Sequence, residues 1–340
     1  MRLSLAAARS RLRRRCLPNP NDHPEPGRTP TKSPYSGDVG LAVAFTWPSE
    51  TVLLDGGLAT ELEARGHDLS DRLWSARLLA DAPREIIAVH AAYFRAGATI
   101  ATTASYQASF EGFAARGLDR RETDVLLRRS VELAKAARDE AGPGELEGLL
   151  VAASVGPYGA ALADGSEYRG RYGLSVAELA RWHRPRLETL ADAGADVLAC
   201  ETVPDADEAE ALVGLVRSVG MPAWLSYTID GARTRAGQPL TDAFAVAAGV
   251  DEIVAVGVNC CAPDDVLPAI AAASAVGKPV IVYPNSGERW DALRHKWIGR
   301  SRFSADLASR WIAAGARIVG GCCRVGPAEI AELAASNPRA

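Results

Sequence analysis

Eight short apolar runs alternate with segments of helical period from residue 51 onward, and this alternation limits the possible folds more than any other feature of the chain. Each run is rich in β-branched residues and continuously apolar, which indicates a strand buried on both faces. The runs are Thr51–Gly57, Ala98–Ser105, Leu149–Gly156, Ala195–Thr202, Pro222–Ile229, Ile253–Cys260, Pro279–Asn285 and Ala316–Cys323. The segments between them carry apolar residues at three- and four-residue spacing, as in Thr123–Glu140, Val176–Ala193, Ala206–Ser218 and Ala305–Ala314. Continuous apolar strands joined by helices predict a parallel sheet covered by helices.

The number of these βα units selects one architecture among the α/β folds. Eight units in about 290 residues match a single-domain (β/α)8 TIM barrel, whereas an open doubly wound sheet usually has about six strands. The phosphate-binding fingerprint of that rival fold, G-x-G-x-x-G, is missing, because the first turn reads Asp55-Gly56-Gly57-Leu58-Ala59-Thr60. A second amphipathic stretch at Pro83–Ala96 predicts an extra excursion after the first strand.

The first 45 residues differ in composition from the rest. Residues 1–15 hold six arginines and no acidic side chain, and residues 16–38 mix Pro, Asn, Asp, Ser and Gly without a hydrophobic period. Such a segment cannot bury enough apolar surface to order itself, so we expect residues 1–45 to be a disordered extension and residues 46–340 to form the barrel. An organelle transit peptide and a translation start placed too early would both give this pattern.

Charge and composition exclude two classes of partner for the barrel. The net charge is −4, and no basic stripe with interleaved aromatic residues appears beyond the N-terminus, so nucleic acid is not expected as a partner. No apolar run approaches the roughly 18 residues that a membrane span needs. The six cysteines are too sparse for a disulfide framework and indicate a reducing compartment, which for this chain we take to be the cytoplasm. These features indicate small-molecule substrates and leave the oligomeric state open.

The carboxyl ends of the eight strands are where a barrel of this kind builds its active site. Here the first strand ends in Asp55 and the fourth in Cys200-Glu201-Thr202, while the sixth and eighth end in Asn259-Cys260-Cys261 and Gly320-Gly321-Cys322-Cys323. Carboxylates and thiols from distant parts of the chain are therefore expected to meet at one mouth. Asp55 and Glu201 have a simpler alternative role, which is to cap the helices that follow them.

The adjacent cysteines point to metal chemistry. Neighbouring side chains of a regular strand face opposite ways, so both Cys322 and Cys323 can aim at one point only where the backbone turns, as two preceding glycines allow. A thiol from the sixth strand, Cys260 or Cys261, would complete a set of three, and strand parity leaves both possible. Three thiolates with an open fourth position suit a catalytic Zn²⁺. A vicinal redox pair is the alternative.

These residues carry a resemblance to a known family. The segments Asp55-Gly56-Gly57-Leu58-Ala59-Thr60-Glu61-Leu62, Gly257-Val258-Asn259-Cys260 and Gly320-Gly321-Cys322-Cys323-Arg324 resemble the homocysteine S-methyltransferases, which are zinc-dependent barrels. The resemblance spans about residues 51–335, includes Asp164-Gly165-Ser166-Glu167-Tyr168-Arg169-Gly170, and is strongest with the branch that uses S-methylmethionine. Residues 1–45 have no counterpart in it.

The resemblance implies a role for each matching position. Cys260, Cys322 and Cys323 would hold Zn²⁺, with Cys261 as a neighbour only. Asp55, the backbone at Gly56, and Glu201 would hold the amino and carboxylate ends of homocysteine. The residues implied to complete the pocket are Asn259, Asn285 and Ser286.

The implied reaction moves a methyl group from a sulfonium donor, S-methylmethionine or S-adenosylmethionine, to the thiol of L-homocysteine and gives methionine. A free thiol has a pKa near 8.5, so only about a few per cent is the nucleophilic thiolate at neutral pH, and zinc coordination corrects this. No general base is then required, which fits the absence of histidine from the strand ends. The same cysteines also allow a vicinal-dithiol oxidoreductase or a non-catalytic zinc-binding protein.

Overall fold

Each of the eight apolar runs overlaps a strand, and the eight strands are parallel neighbours in one sheet. They are β1 (Val52–Leu53), β2 (Ile100–Thr102), β3 (Leu150–Val155), β4 (Val197–Val203), β5 (Ala223–Tyr227), β6 (Ile253–Asn259), β7 (Val280–Tyr283) and β8 (Ala316–Val319). Their order in the sheet is β1-β8-β7-β6-β5-β4-β3-β2, and a parallel bridge between Leu54 and Ile100 joins the two end strands. The prediction of a (β/α)8 barrel is confirmed.

The computed structural model describes residues 45–48, 50–140, 148–291 and 296–337. The helices within these ranges are α1 (Leu58–Ala64), α2 (Leu78–Asp81), α3 (Pro83–Arg95), α4 (Phe110–Ala114), α5 (Arg120–Asp139), α6 (Tyr158–Leu162), α7 (Val176–Asp192), α8 (Ala206–Val219), α9 (Leu240–Phe244), α10 (Val266–Ser274), α11 (Ala305–Ala313) and α12 (Pro327–Ser336). Two short antiparallel hairpins pair Ile229–Asp230 with Arg233–Thr234 and Arg289–Asp291 with Lys296–Ile298. The excursion expected after β1 consists of α1, α2 and a helical turn at Trp74–Arg77, and α3 follows it.

Two layers of apolar side chains hold the barrel together. The inner layer takes a residue from every strand and fills the barrel interior with Val52, Ile100, Ala152, Val197, Trp224, Ala255, Ile281 and Ile318. The outer layer joins the other face of the strands to the helices, for example through Leu198 of β4 and Leu212 of α8. Because both faces of each strand are covered, the strands had to be continuously apolar, which is the pattern that the sequence shows.

Reciprocal caps fix where the two longest helices begin. At α5, Asp119 accepts a hydrogen bond from the Glu122 backbone N–H at 2.8 Å, and Glu122 accepts one from the Asp119 backbone N–H at 2.8 Å. Ser175 and Glu178 form the same arrangement at α7. Such caps satisfy backbone N–H groups that have no partner within the helix.

The amino end of the barrel is covered by residues that precede β1. Phe45 and Trp47 pack edge to face with ring centroids 4.8 Å apart, and both contact the inner layer. The Trp47 indole donates a hydrogen bond to the carbonyl of Val254, near the start of β6, at 2.8 Å. The expected extension, residues 1–45, lies outside the described residues except for Phe45, which belongs with the barrel. No helix in the described part of the chain is both long enough and apolar enough to cross a membrane.

Candidate active site

A cavity of about 870 Å³ opens at the carboxyl ends of the strands. The residues that line it follow all eight strands, so the whole rim of the barrel contributes to it. Seven of the nine residues predicted for the site lie in its wall. They are Asp55, Gly56, Glu201, Cys260, Asn285, Cys322 and Cys323.

Three thiols converge at the base of the loops that follow β6 and β8. The sulfur atoms of Cys260, Cys322 and Cys323 all lie within 4.8 Å of one another. The Sγ of Cys260 is 2.8 Å from that of Cys322 and 3.8 Å from that of Cys323. Among the described residues, this is the one group of three His, Cys, Asp or Glu side chains close enough to hold a metal ion.

Backbone turns place these sulfur atoms on a common point. Cys260 has a φ of 50°, which swings its side chain out of the β6 alternation, and its carbonyl accepts a hydrogen bond from the Thr228 hydroxyl at 3.1 Å. After β8, a Cβ on Gly320 would lie 2.7 Å from the carbonyl oxygen of Asp55, and one on Gly321 would clash with the side chain of Val325. Only glycine fits such close approaches. The turned backbone expected from the sequence is present at both strand ends.

The cluster is unsuited to three neutral thiols alone. Contacts with the Cys260 and Cys323 thiols, followed by burial, raise the pKa of Cys322 well above that of a free thiol. The pKa of Cys323 is lowered well below that of a free thiol, since its thiolate accepts hydrogen bonds from Cys260 and Cys322. Negative charge is thus favoured at one sulfur and opposed at its neighbour. A cation among the three would allow all of them to be thiolates.

The other two cysteines of the described residues, Cys200 and Cys261, do not belong to the thiol cluster. Cys261 is 1% exposed, and burial raises its pKa above the usual thiol range. Cys200 is equally buried, and burial raises its pKa to about 12. Both behave as inert core thiols.

Two carboxylates stand beside the thiols, at the ends of β1 and β4. Asp55 is 2% exposed and accepts hydrogen bonds from the backbone N–H of Thr102 at 2.7 Å and from its hydroxyl at 3.0 Å. Burial raises the pKa of Asp55 well above its usual range, and the charge of Glu201 adds to this. Glu201 accepts a hydrogen bond from the Ser154 hydroxyl, and burial raises its pKa to about 7. Two buried acids with few cationic partners are suited to bind a positively charged group.

Neither carboxylate caps a helix. The residue that begins α1 is Gly57, and no side chain caps that helix. The cap of α8 is Asp205, whose carboxylate accepts a hydrogen bond from the backbone N–H of Asp207 at 3.2 Å. The simpler interpretation of Asp55 and Glu201 as capping residues is therefore wrong.

Asn259 lies next to the cavity but is not part of its wall. Its side chain is fully buried, with the amide oxygen accepting from the Thr202 backbone N–H at 2.7 Å and from the Ser226 hydroxyl at 2.8 Å. Its amide nitrogen donates to the Thr202 hydroxyl at 2.7 Å. Thr202 has a φ of 56°, so Asn259 locks the turn that directly follows Glu201. These hydrogen bonds favour a role for Asn259 in positioning the turn beside Glu201.

Asn285 and Ser286 hold the second part of the thiol cluster in place. The side-chain oxygen of Asn285 accepts a hydrogen bond from the Cys323 backbone N–H at 3.1 Å. The backbone N–H of Ser286 donates to the Cys323 carbonyl at 3.0 Å, and its hydroxyl donates to Glu288 at 3.0 Å. Ser286 is fully buried and outside the cavity wall, whereas Asn285 lines it.

The segment after β3, and two aromatic residues that follow β1 and β2, add side chains for which the sequence pattern predicted no role. The Tyr168 hydroxyl lies 3.9 Å from the Cys260 sulfur, and Glu167 beside it has one carboxylate oxygen buried without a hydrogen-bond partner among the described residues. Burial raises the pKa of Glu167 to about 7. Trp74 and Tyr106 add aromatic surface to the same cavity. Glu167, Tyr168 and Trp74 do not close a strand, so the strand-end argument could not find them, whereas Tyr106 follows directly on the second apolar run.

Comparison with known proteins gives long matches at high identity. The chain is 50% identical over 296 residues to the homocysteine S-methyltransferase of Escherichia coli (strain K12), a match that covers 85% of this chain and 96% of that protein. It is 46% identical over 295 residues to the homocysteine S-methyltransferase YbgG of Bacillus subtilis (strain 168), with 84% and 93% covered. The crystal structure of the homocysteine methyltransferase MmuM from Escherichia coli, in its metallated form, matches with a TM-score of 0.76 at 48% identity, covering 84% of this chain and 96% of that one.

The match to a family is equally extensive. The family described as homocysteine S-methyltransferase matches residues 52–336. That range runs from β1 into α12 and contains the three clustered thiols and both buried carboxylates. Fold, site and sequence agree along the whole barrel, and the chain belongs to the homocysteine S-methyltransferase family.

Proposed function

We propose that this protein transfers a methyl group from a sulfonium donor to the thiol of L-homocysteine and releases methionine, at a Zn²⁺ held by Cys260, Cys322 and Cys323. The observation that carries the proposal is the convergence of three sulfur atoms within 4.8 Å at the wall of an open cavity. A cluster that served only structure would be closed by four protein ligands.

The donor set fits zinc. Three thiolates are soft ligands that favour Zn²⁺ over hard cations such as Mg²⁺, and the adjoining cavity leaves space for a sulfur atom of a substrate. When bound, zinc would hold the homocysteine sulfur as a thiolate at neutral pH. The metallated form of the MmuM structure from Escherichia coli supports a metal in this family.

The amino-acid end of homocysteine is assigned to the carboxylates. Asp55 and Glu201 would bind the ammonium group, because each is buried, close to the thiol cluster and unpaired with any Lys or Arg in the described part of the chain. The backbone at Gly56 would bind the carboxylate group. Asn259 and Ser286 are assigned as positioning residues, since they hold the turns at Thr202 and Cys323 and lie outside the cavity wall.

The chain's own groups then supply orientation rather than acid or base. Methyl transfer forms a bond from the homocysteine sulfur to the methyl carbon while the bond from that carbon to the sulfonium sulfur breaks, and the donor leaves as a neutral thioether. Aromatic faces attract cations, and Trp74, Tyr106 and Tyr168 line the cavity where the sulfonium would approach. Holding two sulfur atoms in line accounts for much of the expected rate.

We propose S-methylmethionine as the preferred donor.

The test combines metal content with activity. Protein prepared under reducing conditions is expected to contain about one zinc per chain and to form methionine from homocysteine and S-methylmethionine. A vicinal-dithiol oxidoreductase would instead work without metal and lose two thiols reversibly on oxidation. A non-catalytic zinc protein would hold the metal without turnover. Active protein that is free of metal would refute the proposed site. We further propose a cytoplasmic location, because a reducing compartment keeps cysteines such as those of the site as free thiols.

A further inference from the structure

One arginine of the cavity wall has no hydrogen-bond or ion-pair partner among the described residues, although the other two arginines of the wall do. Three arginines line the cavity: Arg72, Arg235 and Arg302. Arg72 donates a hydrogen bond to the carbonyl of Leu162 at 2.9 Å, and Arg302 forms an ion pair with Asp264. The Nε of Arg235 is buried without a hydrogen-bond partner, and no carboxylate of the described residues lies within 4.0 Å of its guanidinium. A buried donor of this kind needs an acceptor, because desolvation without one is costly.

Arg235 also has a defined position relative to the reacting centre. Its guanidinium carbon lies 5.8 Å from the centroid of the Tyr168 ring. The hydroxyl of that same ring lies 3.9 Å from the sulfur of Cys260. One tyrosine side chain therefore spans the distance between the thiol cluster and the guanidinium. A short amino acid whose sulfonium sulfur lies in line with a sulfur atom bound at the cluster could place its other end at Arg235.

The charges of the two substrates indicate what that end is. Homocysteine and an amino-acid donor each bring one ammonium and one carboxylate, so the cavity has to accept two anionic groups. Homocysteine is assigned to Asp55, Gly56 and Glu201, which follow β1 and β4. Arg235 follows β5 and lies on the side of Tyr168 away from Cys260. Its planar guanidinium can donate two parallel hydrogen bonds to a carboxylate.

We propose that Arg235 binds the α-carboxylate of the methyl donor and thereby selects sulfonium amino acids over sulfonium compounds without a carboxylate. This inference rests on the proposed methyltransferase function. It adds a residue that recognises the donor, separate from those assigned to homocysteine and to the metal.

The experiment compares two donors that differ only at the carboxylate. Methionine formation is measured with the zinc-loaded full chain, using S-methylmethionine and its carboxamide in turn at saturating homocysteine. The wild type is expected to show a KM about 10- to 100-fold higher for the carboxamide, the range that follows from losing hydrogen bonds to a charged group. In Arg235→Gln, the KM for S-methylmethionine is expected to rise by the same factor, and the two donors are expected to differ by less than about twofold.

Two further variants identify the cause. Arg302→Gln removes another arginine of the cavity wall, but one already paired with Asp264, and is expected to keep the wild-type donor preference. Arg235→Lys keeps the charge and is expected to recover part of the preference, less than a bidentate group gives. The KM for homocysteine and the zinc content are expected to stay at wild-type values in all three variants.

Several outcomes would overturn the inference. An Arg235→Gln protein that still prefers the carboxylate donor shows that another group recognises it. A rise in the KM for homocysteine instead of the donor assigns Arg235 to the acceptor. Should the variant not fold, wild-type protein that uses both donors equally well already excludes a carboxylate contact. Wild-type protein inactive with both donors would refute the proposed function itself, which is a different result.

Discussion

The two ends of the barrel bury different kinds of side chain. At the carboxyl end, three thiols and two carboxylates surround open space, and residues such as Cys260 and Thr202 adopt positive φ angles. At the amino end, Phe45 and Trp47 cover the inner layer, and Arg317 donates to the carbonyl of Pro48 at 3.0 Å. Burying unpaired polar groups destabilises the folded state, whereas burying aromatic rings stabilises it. Burial of aromatic rings at the amino end therefore offsets the free-energy cost of the buried polar groups at the carboxyl end.

The largest effect that this comparison predicts is at the thiol cluster. Replacing Cys260, Cys322 or Cys323 with Ala is expected to lower methionine formation by on the order of 10³-fold or more, because metal activation of the thiol is lost. Zinc content, measured on the same samples, should fall with activity. The controls are Cys200→Ala and Cys261→Ala, two buried thiols outside the cluster, which should keep both zinc and turnover. Equal loss in Cys261→Ala would show that the ligand set is different.

The next effect concerns the carboxylate at the end of β4. Glu201→Gln keeps the shape but removes the charge, so binding of an amino-acid ammonium should weaken by about 1.5–3 kcal/mol. Calorimetric titration with L-methionine measures this without the ionisation of a substrate thiol. Glu188→Gln, at an exposed position, is the control. Loss of zinc in Glu201→Gln, with binding otherwise retained, would assign this carboxylate to the metal.

The same carboxylate predicts a dependence on pH. Burial raises its pKa to about 7, and only the ionised form attracts an ammonium group. Affinity for L-methionine should therefore increase as the pH rises from about 6 to about 8 in the wild type, because the carboxyl loses its proton in that interval. The Gln variant should show a smaller change over that range, because Glu167 of the same cavity, whose pKa burial also raises to about 7, still titrates. A slope of equal size in both proteins would mean that another group titrates.

At the amino end the comparison predicts a change in stability with no change in catalysis. Trp47→Ala removes a half-buried indole and its hydrogen bond to Val254, which should lower the free energy of unfolding by about 1–3 kcal/mol. Trp47→Phe keeps the ring and should recover most of this. Denaturant unfolding and steady-state kinetics on the same preparations separate the two effects. A changed KM without a changed stability would show that the two ends are not independent.

The smallest effect is expected from removing residues 1–44. The composition of this segment predicts that it contributes little to folding, so the free energy of unfolding should change by less than about 0.5 kcal/mol and turnover should be retained. A cut after Trp47, which also removes Phe45, should instead destabilise the protein as strongly as Trp47→Ala. Aggregation of the shorter deletion would place the domain boundary earlier in the chain.

Much of the fold could be predicted because its signal is local. The apolar run at Ile253–Cys260 and the helical period at Val176–Ala193 each reveal one element, and the structure has β6 at Ile253–Asn259 and α7 at Val176–Asp192. Periodicity depends only on neighbouring residues and on the burial of both sheet faces. Polar residues that close strands could be assigned to the rim for the same reason, since parallel strands end on one side.

Other features depend on contacts that are distant in sequence. The local pattern places Phe45 in the extension, because nothing near it in the chain shows that its partner is the inner layer of the barrel. Tyr168 and Arg235 lie in loops, where strand periodicity gives no information, and only the folded chain brings them beside Cys260.

The sequence by itself determined a barrel of eight βα units whose rim carries Asp55, Glu201 and paired cysteines, because strand count, burial and strand ends are written in local pattern. For the thiol of the sixth strand, the family resemblance favoured Cys260, and the tertiary structure supplied the physical reason. Parity along β6 could not distinguish Cys260 from Cys261, whereas a φ of 50° at Cys260 turns its sulfur toward Cys322. Only the tertiary structure showed that the side chain of Asn259 is hydrogen-bonded to Thr202 and Ser226. A side chain at the end of a strand points where backbone torsion and distant partners direct it, and neither is encoded in spacing.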